Sequence, residues 1–344
     1  MKLGKTIISA DLSADDAPAG LEDAADAGPD AELRPFVFAA AQHGYRLDRA
    51  LTALAPEFSR SYLQQLIEGG AVTLNDAVVL RCAHKVKAGD GGAIELRPTP
   101  QSQAFRPEAM DLKVVFEDEH LLVIDKPAGL VVHPAPGNWS GTLLNGLLAR
   151  DAGAAFLPRA GIVHRLDKDT SGLMVVARTR SAMDALVQRI AAREVARQYV
   201  ALAHRPWGGA SQRRVDAPIG RDPRNRLRMA VVEGGKPAAT QFERLQECAQ
   251  GCWVRATLET GRTHQIRVHM AHIGHPLVAD DLYGGAPAAG LSRQALHAYR
   301  LAFVHPASGQ ALEFLAPLPG DLRQALALWG LRYNDLQWLT SHAP

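Results

Sequence analysis

Cysteine is almost missing from this 344-residue chain: Cys82, Cys248 and Cys252 are the only three. An odd number without zinc-ribbon spacing excludes a disulfide-built fold and fits a reducing cytoplasm, with all three as structural thiols. No run of about 18 apolar residues is present to cross a bilayer, and the apolar part of Met1 to Ala10 is too short and too polar for a secretory signal. A soluble protein with no membrane partner is therefore expected. Also absent are an HExxH helix, a Walker GxxxxGK[ST] loop and a strand-linked GxGxxG, which removes the usual zinc-peptidase, nucleotide-hydrolase and dinucleotide readings. Basic residues are missing from Asp11 to Leu33, which carries eight acidic side chains, so the formal net charge of +2 becomes +10 for the rest of the chain. The body is a basic surface suited to a polyanion. The acidic segment has few large apolar residues to offset the entropy of ordering, and a disordered tail over residues 1–40 is expected.

What is present is a globular chain, 47% hydrophobic, of a length that suits two domains. Leu47, Leu51 and Leu54 share one helical face between Tyr45 and Leu54. Ser59 reads as the cap of a second helix, with Leu63, Leu66 and Ile67 inward and Gly69-Gly70 as its stop. Val72 to Leu74 and Val78 to Leu80 flank Asn75-Asp76 as a tight hairpin, with a last short strand at Ala93 to Leu96. Pro98 to Met110 reads as a linker. Beyond it, strands are expected at Val114 to Phe116, Leu121 to Ile124, Leu173 to Ala177, Tyr199 to Ala203, Trp253 to Leu258 and Ile266 to His269, with a helix from Ser181 to about Arg193. So few regular crossovers imply an α+β fold with a largely antiparallel mixed sheet.

Two clusters carry the chemistry. His164-Arg165-Leu166-Asp167-Lys168-Asp169-Thr170-Ser171-Gly172 gathers cations around two carboxylates just before an apolar strand, placing Asp167 near the rim of a sheet. The same cluster also reads as a salt-bridged loop. Thr260-Gly261-Arg262-Thr263-His264-Gln265-Ile266-Arg267-Val268-His269 alternates polar with apolar from Gln265 on. As a strand it would aim Thr263, Gln265, Arg267 and His269 at one face, as a polar wall opposite Asp167. A metal site is the rival reading, because His264, His269, His272 and His275 lie within twelve residues. On a strand, His264 and His269 point to opposite faces, so no shared metal is expected. Arg213, Arg214, Arg221, Arg224, Arg226 and Arg228 crowd a turn-rich segment, where a polyanion would relieve their repulsion.

Together these stretches resemble the RluA-type pseudouridine synthases, whose HRLDxxTSGL and TGRTHQIRVH motifs they match. The resemblance runs from about Gly44 to at least Leu315. It takes in VIDKPAGLVVHP (Val123 to Pro134), RQYVAL (Arg197 to Leu202), HPLVADDLYGG (His275 to Gly285) and RQALHA (Arg293 to Ala298), and is closest to the RluD subgroup. It implies an S4-like RNA-binding domain over 41–97, a linker over 98–110 and a catalytic domain over 111–344. It also implies isomerisation of uridine to pseudouridine in large-subunit (23S) rRNA. That reaction is redox-neutral, so neither cofactor nor metal is expected. Asp167 would be the catalytic carboxylate, as nucleophile or base, Arg267 its ion-pair partner and Tyr199 the tyrosine against the uracil. Without the resemblance, Tyr199 reads as a strand aromatic. Arg165 would help hold the uridine out of its stack. Lys126, His164, Arg262, Arg221, Arg224, Arg226 and Arg228, with Arg46 and Arg60 in the S4-like part, are the expected RNA contacts. The default oligomeric state is a monomer. A non-catalytic RNA-binding protein on the same fold is the alternative, in which Asp167 is only structural.

Overall fold

The computed structural model describes residues 32–97, 104–135, 137–225 and 227–332. The chain divides into two compact units between Thr99 and Pro100.

The first unit contains β1 (Glu32–Val37), α1 (Leu47–Leu54), α2 (Arg60–Glu68), β2 (Val72–Leu74), β3 (Ala77–Val78) and β4 (Gly91–Leu96), with an antiparallel sheet in the order β1-β4-β2-β3. Leu47, Leu51, Leu63, Leu66 and Ile67 pack with Val72 and Ile94 in one core, whereas Leu54, read on the same helical face as Leu47 and Leu51, ends its helix exposed. The Ser59 hydroxyl caps α2 by accepting the Tyr62 N–H at 3.3 Å. Asn75 and Asp76 both take positive φ, as a two-residue hairpin turn requires. The expected tail boundary at 40 needs correction, because Glu32 to Val37 pairs in register with Leu96 to Gly91. Glu32 ends the acidic run and Pro35 argues against a strand, but an edge strand tolerates proline. Residues 1–31 of the expected tail lie outside the described residues.

The second unit carries strands β5 (Val114–Glu117), β6 (Leu121–Lys126), β7 (Ser171–Ala177), β8 (Ala196–His204), β9 (Gln212–Asp216), β10 (Ile219–Arg221), β11 (Met229–Val231), β12 (Ala239–Glu247), β13 (Gly251–Leu258), β14 (Leu296–Val304) and β15 (Ala311–Leu315). Its helices are α3 (Leu143–Arg150), α4 (Arg180–Ala191), α5 (Gln265–His272) and α6 (Gly320–Leu328). Nine strands form one sheet in the order β5-β6-β7-β14-β8-β13-β12-β9, with β15 on β14, while β10 and β11 make a separate ribbon. Every pairing in the large sheet is antiparallel except β7 with β14.

Both faces of this sheet are buried, which explains why its central strands read as continuous apolar runs. On one face Ile124, Met174, Tyr199, Ala201, Val254 and Ala298 share a core with Leu166 and with Ile266 and Met270 of α5. On the other, Val200, Leu202 and Trp253 pack with Leu322 and Leu326 of α6, and Leu121, Val123, Leu173 and Val175 with Leu186 of α4. The first face carries the site. The linker's far half, residues 104–110, belongs to this unit: Asn145 of α3 donates to the Arg106 carbonyl at 2.8 Å, and Ala104 is buried. Residues 98–103 lie outside the described residues.

Candidate active site

Asp167 sits in the loop that enters β7, and two features hold that loop on the sheet. Leu166 is buried in the core beneath it, and Gly172 adopts φ +116° where any side chain would run into the Ala298 carbonyl of β14. Lys126, expected against RNA, is instead an internal tie. It is 1% exposed, and its Nζ donates to the carbonyls of Pro127 (2.8 Å), Lys168 (2.9 Å) and Leu130 (3.0 Å). Burial lowers its pKa to about 8, against the pull of Asp169 and Asp167. His164, also expected at RNA, lines the cavity and has one ring nitrogen engaged by the backbone: its Nε2 accepts the Val175 N–H at 3.1 Å. Burial, aided by the positive charge of Arg197, lowers its pKa to about 3, so it is neutral.

The second motif is not a strand. Gln265 to His272 forms α5, and the alternation that mimics a strand is a helix buried nearly all round. Its geometry follows from polar pairs at i and i+4. Gln265 Nε2 donates to the Ala239 carbonyl (3.0 Å) and Thr240 Oγ1 (2.9 Å), and His269 one turn later hydrogen-bonds Thr240 Oγ1 (2.9 Å) and the Ala217 carbonyl (3.0 Å). Two clues mark this helix: that polar pair, and Gly274 at φ +92° just past its end. The helix also revises the histidine argument. His269 is fully buried with both ring nitrogens engaged, and His275 hydrogen-bonds the His204 carbonyl at 3.2 Å while stacking on Trp207.

The helix delivers Arg267 to Asp167, as the sequence motif implied, though from a different backbone. Arg267 Nη1 donates to Asp167 Oδ2 at 3.0 Å. Its other edge forms a fork to Asp280, with Nε and Nη2 each 2.8 Å from a carboxylate oxygen. Burial works against the guanidinium's charge, but hydrogen bonding to Asp280 and the charges of Asp280 and Asp167 leave its pKa above the ordinary arginine value. The Tyr283 ring lies 5.0 Å from the guanidinium carbon. Asp280 is 1% exposed; it and Tyr283 carry no role in the sequence reading, although the HPLVADDLYGG stretch contains both.

His264, before α5, completes the surround with φ +56°, a left-handed conformation uncommon for residues other than glycine. The Met229 N–H donates to the Tyr283 hydroxyl (3.0 Å), which in turn is 2.8 Å from His264 Nδ1. The other ring nitrogen of His264, Nε2, lies 3.8 Å from Asp167 Oδ1. Burial lowers the His264 pKa, with Asp167 opposing.

These groups open into a cavity of about 810 Å³, lined among others by Asp167, Arg165, Tyr199, Arg197, His264 and Arg267. Tyr199, from β8, is buried, and burial raises its phenol to about 12. Arg165 is exposed at the cavity. Arg262 lines it too, with Nε donating to the Pro237 carbonyl at 3.0 Å. Of the arginine-rich segment, Arg228 pairs with buried Asp222 and Arg214 with Glu259 and Asp216. Arg221 and Arg224 are exposed, and Arg226 lies outside the described residues. In the first unit, Arg46 and Arg60 both bind the carboxylate of Asp48, which is fully buried, at 3.1 and 2.7 Å. That leaves their outer faces to solvent. No helix among the described residues is long and apolar enough to cross a membrane.

The family model for RNA pseudouridylate synthase matches residues 120–272, and that for the S4 domain matches residues 46–91. The chain is 48% identical over 299 residues to the ribosomal large subunit pseudouridine synthase D of Neisseria meningitidis serogroup B, covering 83% of this chain and 79% of the relative. It is 46% identical over 313 residues to the protein of that name from Xanthomonas campestris pv. campestris, covering 87% and 93%. Among solved structures, human RNA pseudouridylate synthase domain containing 1 matches with a TM-score of 0.52 at 25% identity, covering 72% of this chain and 96% of that one. With a buried sheet face, a cavity-facing carboxylate and relatives at this identity, the chain belongs to the RNA pseudouridylate synthase family, isomerases that convert uridine in RNA to pseudouridine, and carries an S4 domain ahead of its synthase domain.

Proposed function

We propose that this chain isomerises specific uridines of large-subunit (23S) ribosomal RNA, with Asp167 as the catalytic carboxylate. The observation that carries the reading is the setting of Asp167: it faces the cavity at one end of Arg267, whose other end is clamped by buried Asp280. A carboxylate so oriented can attack or deprotonate at the sugar when the N-glycosidic bond breaks. The uracil then turns and is rejoined through C5, and the C5 proton leaves to solvent. No electrons are gained or lost overall. Tyr199, protonated at neutral pH, serves as a stacking surface and hydrogen-bonding hydroxyl for the uracil rather than as a phenolate base.

The uridine must leave its stack to reach this cavity, at a cost of roughly a few kcal/mol. Arg165, exposed at the cavity, is placed to occupy the gap or hold the base. The rRNA substrate rests on what the relatives' names say of them. A stem-loop in free or assembling subunits, a cytoplasmic location and a monomeric protein complete the reading. It is tested by treating a large-subunit rRNA transcript with the enzyme and mapping pseudouridine by carbodiimide adducts and primer extension. Stops at discrete uridines, absent with Asp167→Asn, are expected. Stops in other RNAs but none in this one would reassign the substrate.

A further inference from the structure

The described residues contain three buried arginines, Arg197, Arg255 and Arg267. Two are matched by carboxylates: Arg255 by Glu243, and Arg267 by Asp280 and Asp167. Arg197 is not. It is 6% exposed, lines the catalytic cavity and has an Nε buried without an acceptor. Among the described residues its side chain makes no hydrogen bond or ion pair. Glu259, which lines the same cavity, is already held by Arg214 through two bonds of 2.8 and 2.9 Å.

A guanidinium taken out of water without a counter-charge is strongly disfavoured, so its persistence points to an anion that arrives with the ligand. The surroundings keep the place open. His164, whose pKa the charge of Arg197 helps to lower, is neutral, and its Nε2 is taken by the Val175 N–H. A Cβ at Gly261 would lie 2.9 Å from Arg197 Nη1, so a side chain at Gly261 would crowd the guanidinium.

We infer that Arg197 is a phosphate anchor inside the cavity, its guanidinium taking the RNA backbone phosphate next to the uridine that lodges against Tyr199 and Asp167. Arg197 and Tyr199 stand two residues apart on one face of β8, roughly 7 Å along the strand. A nucleotide whose base lies on the phenol therefore presents its phosphate to the guanidinium, whose planar fork suits bidentate binding. The assignment rests on RNA as the substrate and adds a fixed point beside the reacting nucleotide.

The test uses the full chain as wild type, Arg197→Met and Arg197→Lys, with RNA affinity measured across a potassium chloride series and turnover by tritium release. If Arg197 binds phosphate, Arg197→Met weakens RNA binding and reduces the slope of log affinity against log salt by about 0.7–0.9. Arg197→Lys restores the slope while recovering turnover only in part, because a point charge does not fix orientation. An unchanged slope in Arg197→Met overturns the assignment, and Arg197→Gln supplies the same comparison if the methionine variant does not fold. A wild type that binds this RNA without releasing tritium would count against the proposed reaction, while the slope would still decide the role of Arg197.

Discussion

Replacing Arg267 with methionine removes the single cation between two carboxylates and nearly preserves side-chain volume. Asp280, 1% exposed, then has no counter-charge, and Asp167 loses its 3.0 Å donor. Leaving one member of a buried pair unmatched costs about 3–5 kcal/mol. For a domain of this size that corresponds to a fall in Tm of roughly 6–20 °C. Asp167→Asn is a milder change, because the carboxylate faces the cavity and gives up one bond, so a loss of about 1 kcal/mol or less is expected. The double variant Arg267→Met/Asp280→Asn removes both buried charges and should recover part of the loss of Arg267→Met alone. Differential scanning calorimetry of the full-length variants measures all three. Equal Tm values for wild type and Arg267→Met, or no recovery in the double variant, would refute the view that Asp280 is the anchor of this arginine.

Lys126→Met strips the donor from three carbonyls and should lower Tm while leaving the salt slope of RNA binding untouched; a reduced slope would return Lys126 to the RNA interface. Arg224→Ala, in contrast, should leave Tm unchanged and reduce that slope by about 0.7–0.9, and an unchanged slope would remove the β10–β11 ribbon from the interface. His164 has a folded pKa of about 3, below its ordinary value of about 6.5. The unfolded chain therefore binds its proton first on acidification, and stability falls as pH drops from about 6.5 toward 3. His164→Gln should flatten part of that fall in urea melts at successive pH values, and an identical pH profile would show that this ring is not buried neutral.

Much of the architecture was legible where local and tertiary preferences agree. The Ser59 cap, the Gly69-Gly70 stop, the Asn75-Asp76 turn and the apolar runs of β6, β7, β8 and β13 lie where their residues place them. The failures share a cause. Strand β1 was hidden because its proline is acceptable only at a sheet edge, and α5 because a helix buried nearly all round has no polar face to reveal its period. The local alternation of Gln265 to His269 was overridden by side-chain bonds to Thr240 and Ala217, which depend on a strand and a loop distant in sequence. Asp167, Arg267 and Tyr199 lie about one cavity, as their motifs implied. The interior use of Lys126 and the backbone bond of His164 were not readable, since nothing local says that an ammonium will find three carbonyls or an imidazole a strand N–H. Asp280 was missed for the same reason: its partner is one turn inside a helix taken for a strand.

The most direct test of the central claim is tritium release from large-subunit rRNA labelled at uridine C5, with wild type and Asp167→Asn compared at matched RNA occupancy. Release by the wild type and none by Asp167→Asn, with RNA affinity within about threefold, is the expected result, because removing the carboxylate's charge takes away the reacting group and not the binding surface. Sustained release by Asp167→Asn would contradict the account, for the reaction would then proceed without the carboxylate that Arg267 and Asp280 hold in place.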